Sequence, residues 1–186
     1  SEAVVLLSLR IIRPYKGVMV LIEAFRRFPE SRARLLIAGK PYDRTTDELV
    51  KARICADPRI RYFPGYVADS DLQLYLNAAD AVVFPYQKSL TSGALILAMS
   101  FGRACIAPRL PGMVDCLSEE GGIFYQANDP AGLVEALSAA VSRQNELAVM
   151  AEKNLRRARF WDWTGIAKAT MACYRDGVAA ANDTRR

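Results

Sequence analysis

The sequence predicts an α/β domain built on a six-stranded, doubly wound parallel sheet, with a helical C-terminal end. Two observations carry this expectation. Short apolar runs rich in Val, Ile, Leu and Phe recur between longer segments of helical spacing, and the alternation repeats five times. The first, second and fourth runs are almost continuously apolar, as strands covered on both faces must be.

The elements follow in order. The first strand is read at 3–8 (AVVLLS). A helix over 17–28 follows, because Val18, Leu21, Ile22 and Phe25 stand at i, i+3, i+4 and i+7. The second strand is 34–38 (RLLIA), and the next helix, 45–56, opens at Thr45-Thr46 with Asp47 and Glu48 in its first turn. Strand 59–63 (RIRYF) leads to a helix over 70–78 that begins after Asp69. Strand 80–84 (DAVVF) leads to a helix over 92–102 that begins after Thr91 and stops at Gly102. The last strands are 104–107 (ACIA) and 122–125 (GIFY). Helices over 130–143, 145–158 and 164–179 complete the chain, the first with Pro130 at N1 behind an Asp129 cap. The expected domain is 1–180, with a frayed tail at 181–186.

Composition narrows the chemistry. The 186 residues are 52% apolar and 24% charged, ordinary for one globular domain. There is no histidine, which removes His triads, imidazole acid–base catalysis and His-containing zinc sites. No metal and no cofactor is expected. The net charge of +5 is dispersed, so no nucleic acid partner is expected; polyanionic small ligands or an anionic membrane surface fit it. Cys55, Cys105, Cys116 and Cys173 form no CxxC pair, which points to a reducing compartment. Cys105 and Cys173 lie in apolar runs and are expected to be buried. No apolar run reaches about 18 residues and no signal peptide is evident, so the expected setting is cytoplasmic, with peripheral contact at the inner face of the membrane. Ser1-Glu2 leads almost at once into a strand pattern, as in a chain cut from a longer protein at a domain boundary.

In doubly wound sheets ligands bind beyond the carboxyl ends of the strands, so the loops there are the candidate site. After the first strand, Arg10, Arg13 and Lys16 converge on a helix start. Its free N–H groups favour an anion, which Arg can fork and Lys can neutralise. A solvated basic turn is the plainer alternative. Neither GxGxxG nor GxxxxGK[ST] is present, so phosphate would be held by side chains and helix dipoles. Gly39-Lys40-Pro41 and Pro64-Gly65-Tyr66-Val67 follow the second and third strands. Glycine there serves a turn, or lets backbone approach a ligand such as an aromatic base. After the fourth strand, Thr91-Ser92-Gly93 opens a helix with two hydroxyls, as a second anion-ready terminus or as an ordinary N-cap. The loop after the fifth strand, Pro108 to Asp115, adds a carboxylate that caps or is solvated.

Four segments, in this order and spacing, resemble the C-terminal, donor-binding domain of GT-B glycosyltransferases of the large family four (group 1). "RPYKGVMVLIEAF" is similar to the family's R…KG-x-x-x-L-I-x-A-F, and "RLLIAGKP" to L-x-I-A-G-x-G-P. "RYFPGYVADSDLQLYLNAADAVVFPY" is similar to F-x-G-x-V…L…Y-x-x-A-D-x-x-x-x-P-S, and "LAMSFGRACIAPRLPGMVD" to E-A-M-A-x-G-x-P-V-I-A-x-x-x-G-G-x-x-E. The resemblance implies a nucleotide-diphosphate sugar in an interdomain cleft. The family's basic pair falls on Lys16 and on Arg13 or Arg10. The base would lie near Gly65, Tyr66 and Val67, held largely by backbone, and the diphosphate at the Thr91-Ser92-Gly93 helix start. Two glutamates of the family pattern are replaced here by Ser89 and Leu97. In the family the first lies close to the donor sugar and the second holds ribose hydroxyls. "LTSGALILAMSFG" instead resembles a variant branch, similar to bacterial exopolysaccharide transferases.

The expected function is donor binding for metal-independent transfer of a sugar to a glycan or lipid-linked acceptor. The partner would be the protein's own N-terminal acceptor domain, absent from this chain, so the fragment alone should transfer nothing. Two other classes stand beside this one. A Rossmann-type oxidoreductase domain would want the glycine fingerprint and an acidic residue closing the second strand. A flavodoxin-like ligand-sensing module would want an acidic cluster or phosphoacceptor at the strand ends. The Phe160-Trp161-Asp162-Trp163 cluster reads as core packing; the resemblance implies instead a last helix that crosses toward the N-terminal domain and exposes apolar surface at 160–178.

Overall fold

The computed structural model describes residues 3–9, 11–89, 92–161 and 163–183. Arg10 and Thr91 of the candidate site lie outside the described residues. The strands are β1 (Val4–Leu9), β2 (Ala33–Gly39), β3 (Ile60–Pro64), β4 (Ala81–Val83), β5 (Ala104–Pro108) and β6 (Gly122–Tyr125). They form one sheet in the order β3-β2-β1-β4-β5-β6, with every pairing parallel. The order reverses between β1 and β4. That reversal opens the crevice in which a doubly wound sheet binds its ligand.

Both faces of the sheet are covered, and the side-chain alternation shows it. Leu6, Ala81, Val83 and Ile106 join one buried cluster with α1 (Val18–Arg27), α2 (Arg44–Ile54) and α6 (Pro130–Ser142). Their neighbours Leu7, Val82, Cys105 and Ala107 join the other, with α3 (Leu72–Ala78) and α4 (Gly93–Ser100). Successive residues point to opposite faces and both faces are dry, so the strands read as unbroken apolar runs. Burial also pushes the Cys105 thiol up, which makes it a packing residue.

Helix starts follow local chemistry. The Asp43 carboxylate caps α2 by accepting from the Thr46 amide at 2.7 Å, so that helix begins ahead of Thr45. Asp129 caps α6 with Pro130 at N1, as expected. The helix expected after Asp69 starts at Leu72, with Asp71 in the cap position, and Asp69 is left free of that role. Residues 108–115, expected as a loop, contain one helical turn, α5 (Pro111–Val114), begun by a proline at N1 and anchored by buried Met113. α7 (Gln144–Ala158) packs back through Asn154, whose amide donates to the carbonyls of Arg103 and Gly121.

A part-buried ion pair holds the edge of the sheet. Arg59 forks onto Asp57 at 2.6 and 2.9 Å, donates to the carbonyls of Phe25, Phe28 and Glu30, and stacks on Phe25. The guanidinium holds the Asp57 carboxyl below the usual carboxylate range. A carboxyl lowered in the folded state contributes stability that is present above its unfolded pKa and lost as pH falls through the folded value. The urea midpoint should therefore drop below pH 4 in the unmodified chain. Asp57→Ala should cost about 3 kcal/mol at pH 7, since it strands a half-buried guanidinium, and should flatten that acid limb. An acid limb identical in both proteins would contradict this.

The C-terminus departs from one expectation. α8 (Trp163–Asp183) is exposed throughout 163–176, with Trp163 85% and Tyr174 69% accessible. Trp163 and Phe160 are thus not core residues, and Cys173 is exposed too. Exposed apolar side chains over this stretch are what the family resemblance implies, and no element of the described chain covers Trp163, Ile166, Met171 or Tyr174. Among the described residues no helix is long and apolar enough to cross a membrane.

Candidate functional site

The site is assembled where β1 hands the chain to α1. Beyond β1 the loop is pinned to the end of β2, through Ile12 N–H to the Lys40 carbonyl at 2.9 Å and Tyr42 N–H to the Ile12 carbonyl at 3.0 Å. Pro14–Lys16 then form a 3-10 turn that ends on Gly17, in the left-handed region at φ 69°. Gly17 is needed there for a second reason. A Cβ on it would lie 1.8 Å from the carbonyl oxygen of Pro85. The Gln87 amide donates to the Tyr15 carbonyl at 3.1 Å, so the basic turn is clamped against the loop leaving β4.

This clamp places Lys16. Its ammonium donates to the Tyr86 hydroxyl at 3.1 Å and stands 4.5 Å from the centre of the same ring. Tyr86 is itself buried and packed edge-on against Phe84. Arg13 lies over the exposed Tyr42 ring at 5.8 Å. Among the described residues neither Arg13 nor Lys16 forms an ion pair, so both charges remain available to a ligand.

Both basic residues line a cavity of about 340 Å³ at the topological switch point, within the size range of small-molecule sites. Lys40, Tyr66, Val67 and Asp69 line it from the β2 and β3 side, and Gly93 and Ala94 from the start of α4. Of the expected residues, the structure thus brings together Arg13, Lys16, Tyr66, Val67 and Gly93. Ser92 and Gly65 play other parts. The Ser92 hydroxyl is buried and caps its own helix, accepting from the Leu95 amide at 3.2 Å. Gly65, at φ 136°, makes the turn out of β3 and has open space where a side chain would stand. Lys40 and Asp69 are not among the residues the sequence points to. The Gly39-Lys40 strand end is a signal for the first; the place of Asp69 just before a helix hides the second. Leu97 packs against the second core cluster and offers no acceptor to a ligand.

Residues 2–143 match the family described as glycosyl transferases group 1. The chain belongs to that family. This agrees with the motif resemblance and sets aside the oxidoreductase and flavodoxin-like alternatives. Over 103 residues, 55% of its length, this group 1 chain is 38% identical to the GDP-mannose:glycolipid 4-beta-D-mannosyltransferase of Xanthomonas campestris pv. campestris. It spans only 30% of that relative. The fold is shared with Anabaena HepE, solved in complex with UDP, at a TM-score of 0.83 and 16% identity, covering 94% of this chain and 49% of that one. It is shared also with the separately solved C-terminal domain of a glycosyl transferase group 1 family protein from Francisella tularensis, at a TM-score of 0.74 and 18% identity. There the coverage is 86% of this chain and 87% of that one.

Proposed function

We propose that this group 1 chain is the donor-binding half of a glycosyltransferase. It would hold a nucleotide-diphosphate sugar while the sugar passes to a glycan or lipid-linked acceptor carried by a separate N-terminal domain. One observation carries the reading: Arg13 and Lys16, neither held in an ion pair among the described residues, share the switch-point cavity with the first residues of α4. When the bond between sugar and diphosphate breaks, negative charge grows on the departing phosphate. Fixed cations and helix N–H groups stabilise that charge without reorganising. The Xanthomonas relative is named for a glycolipid acceptor, which supports a lipid-linked acceptor here. That acceptor would place the protein in the cytoplasm, in peripheral contact with the inner face of the membrane, in bacterial polysaccharide synthesis.

The test is thermal denaturation of the 186-residue chain with UDP, GDP and ADP, and with the matching nucleosides. A diphosphate at a hundred times its Kd should stabilise by about 2.7 kcal/mol, or roughly 5–10 °C for a chain of this size. Nucleosides lacking phosphate should do far less. No shift with any nucleoside diphosphate would overturn the proposal.

A further inference from the structure

The segment that carries Tyr86 leaves the sheet beside a gap in its ladder. Phe84 follows β4 and donates its N–H to the Ile106 carbonyl at 2.8 Å. In a parallel ladder the next bond runs back to the Phe84 carbonyl from the residue two further along β5. That residue is Pro108, which has no N–H to give. Phe84 is buried, and an unpaired backbone oxygen there is costly. Tyr125 fills the gap. It closes β6 opposite Pro108, and its hydroxyl reaches over β5 to donate to the Phe84 carbonyl at 3.0 Å. Burial pushes the Tyr125 phenol up, so it stays a protonated donor.

This bond stands directly ahead of the site. Next along the chain come Pro85, whose carbonyl meets Gly17, Tyr86, whose hydroxyl accepts from Lys16, and Gln87, whose amide donates to the Tyr15 carbonyl. Packing leaves that segment room to move, because a hollow of about 130 Å³ lies between it and Val20 and Leu133. Its place therefore depends on its bonds. Resting on the donor-binding reading above, we propose that Tyr125 is a positioning residue for the diphosphate. By holding the Phe84 carbonyl it fixes how the chain leaves β4, and through Tyr86 it fixes where the Lys16 ammonium stands. Tyr125 lines the small hollow and not the larger cavity, so it acts through Lys16 and touches no ligand.

The experiment combines Tyr125→Phe, which keeps the ring and removes the donor, with Pro108→Val, which returns an N–H to the ladder. Amide hydrogen exchange on the 186-residue chain follows the clamp at Gln87, with Leu35 of β2 as the gauge of general stability. Calorimetric titration with GDP and UDP follows the cation. Tyr125→Phe should quicken exchange at Gln87 about tenfold more than at Leu35, and should weaken the tighter nucleotide about three- to tenfold, the span of one buried hydrogen bond. Adding Pro108→Val should recover most of both. In a Lys16→Ala background Tyr125→Phe should weaken binding no further, as expected of residues that act as one unit. The same loss in both backgrounds would overturn the proposal. So would exchange that quickens alike at Gln87 and Leu35, the mark of a residue that only stabilises the fold. Nucleotide binding indifferent to Tyr125→Phe would remove the positioning role and leave donor binding standing. If the unmodified chain binds neither nucleotide, both readings fall.

Discussion

On the proposed donor-binding role, replacing Lys16 with alanine in a transferase that carries this domain should lower kcat/KM for the sugar donor by about 10²- to 10³-fold, the cost of removing one preorganised partner of a developing oxyanion. The size follows from how the ammonium is held. Its position is set by the Tyr86 hydroxyl at 3.1 Å and by the ring beneath it, so no rearrangement is needed when the diphosphate begins to leave. No carboxylate among the described residues competes for it. Stability should hardly change, because Lys16 fills no core space. Tyr86→Phe keeps the ring and removes the hydroxyl, and should give a smaller loss, of about tenfold or less, in the same parameter. Steady-state kinetics on the three proteins decides the matter. Unchanged turnover in Lys16→Ala, with unchanged nucleotide affinity, would remove Lys16 from the site.

The sheet was legible in the sequence because both of its faces are buried. Every strand therefore carries its own apolar signature, independent of what it pairs with. The helices on its faces announce themselves by spacing and by caps such as Asp129-Pro130. α5 escaped because one turn is too short to show a period; only Pro111 hints at it. Trp163 and Cys173 show the opposite failure. Apolar character says that a side chain seeks cover and not that this chain supplies it, and both are left exposed on α8.

The site divides the same way. Arg13 and Lys16 could be placed because a basic turn between strand and helix has few places to go. Whether Ser92 offered its hydroxyl to a ligand or to its own helix depended on a rotamer, and the Leu95 amide took it. Lys40 and Asp69 belong to separate loops, and only the β3-β2-β1-β4 order brings them to one cavity.

The second large effect should come from a single methyl group. Gly17→Ala places a Cβ 1.8 Å from the Pro85 carbonyl oxygen and 2.9 Å from its carbon. Both are backbone atoms that no rotamer change can move aside. The left-handed φ of 69° adds the ordinary penalty of a side chain in that region, about 1 kcal/mol. Either the basic turn or the β4–α4 loop must shift, and the bond from the Gln87 amide to the Tyr15 carbonyl goes with it. The expected loss is about 3–4 kcal/mol, a fall in Tm of roughly 10 °C for a chain of this length. Lys16 moves with the turn, so nucleotide binding should weaken even at temperatures where the variant is folded. Gly65→Ala is the control, since that glycine also has a positive φ but nothing within 4 Å of the added carbon. It should lose only the conformational penalty, about 1–2 kcal/mol. If thermal denaturation finds the two variants equally mild, the Gly17–Pro85 contact does not hold the basic turn in place, and the position of Lys16 must be fixed by Tyr86 alone.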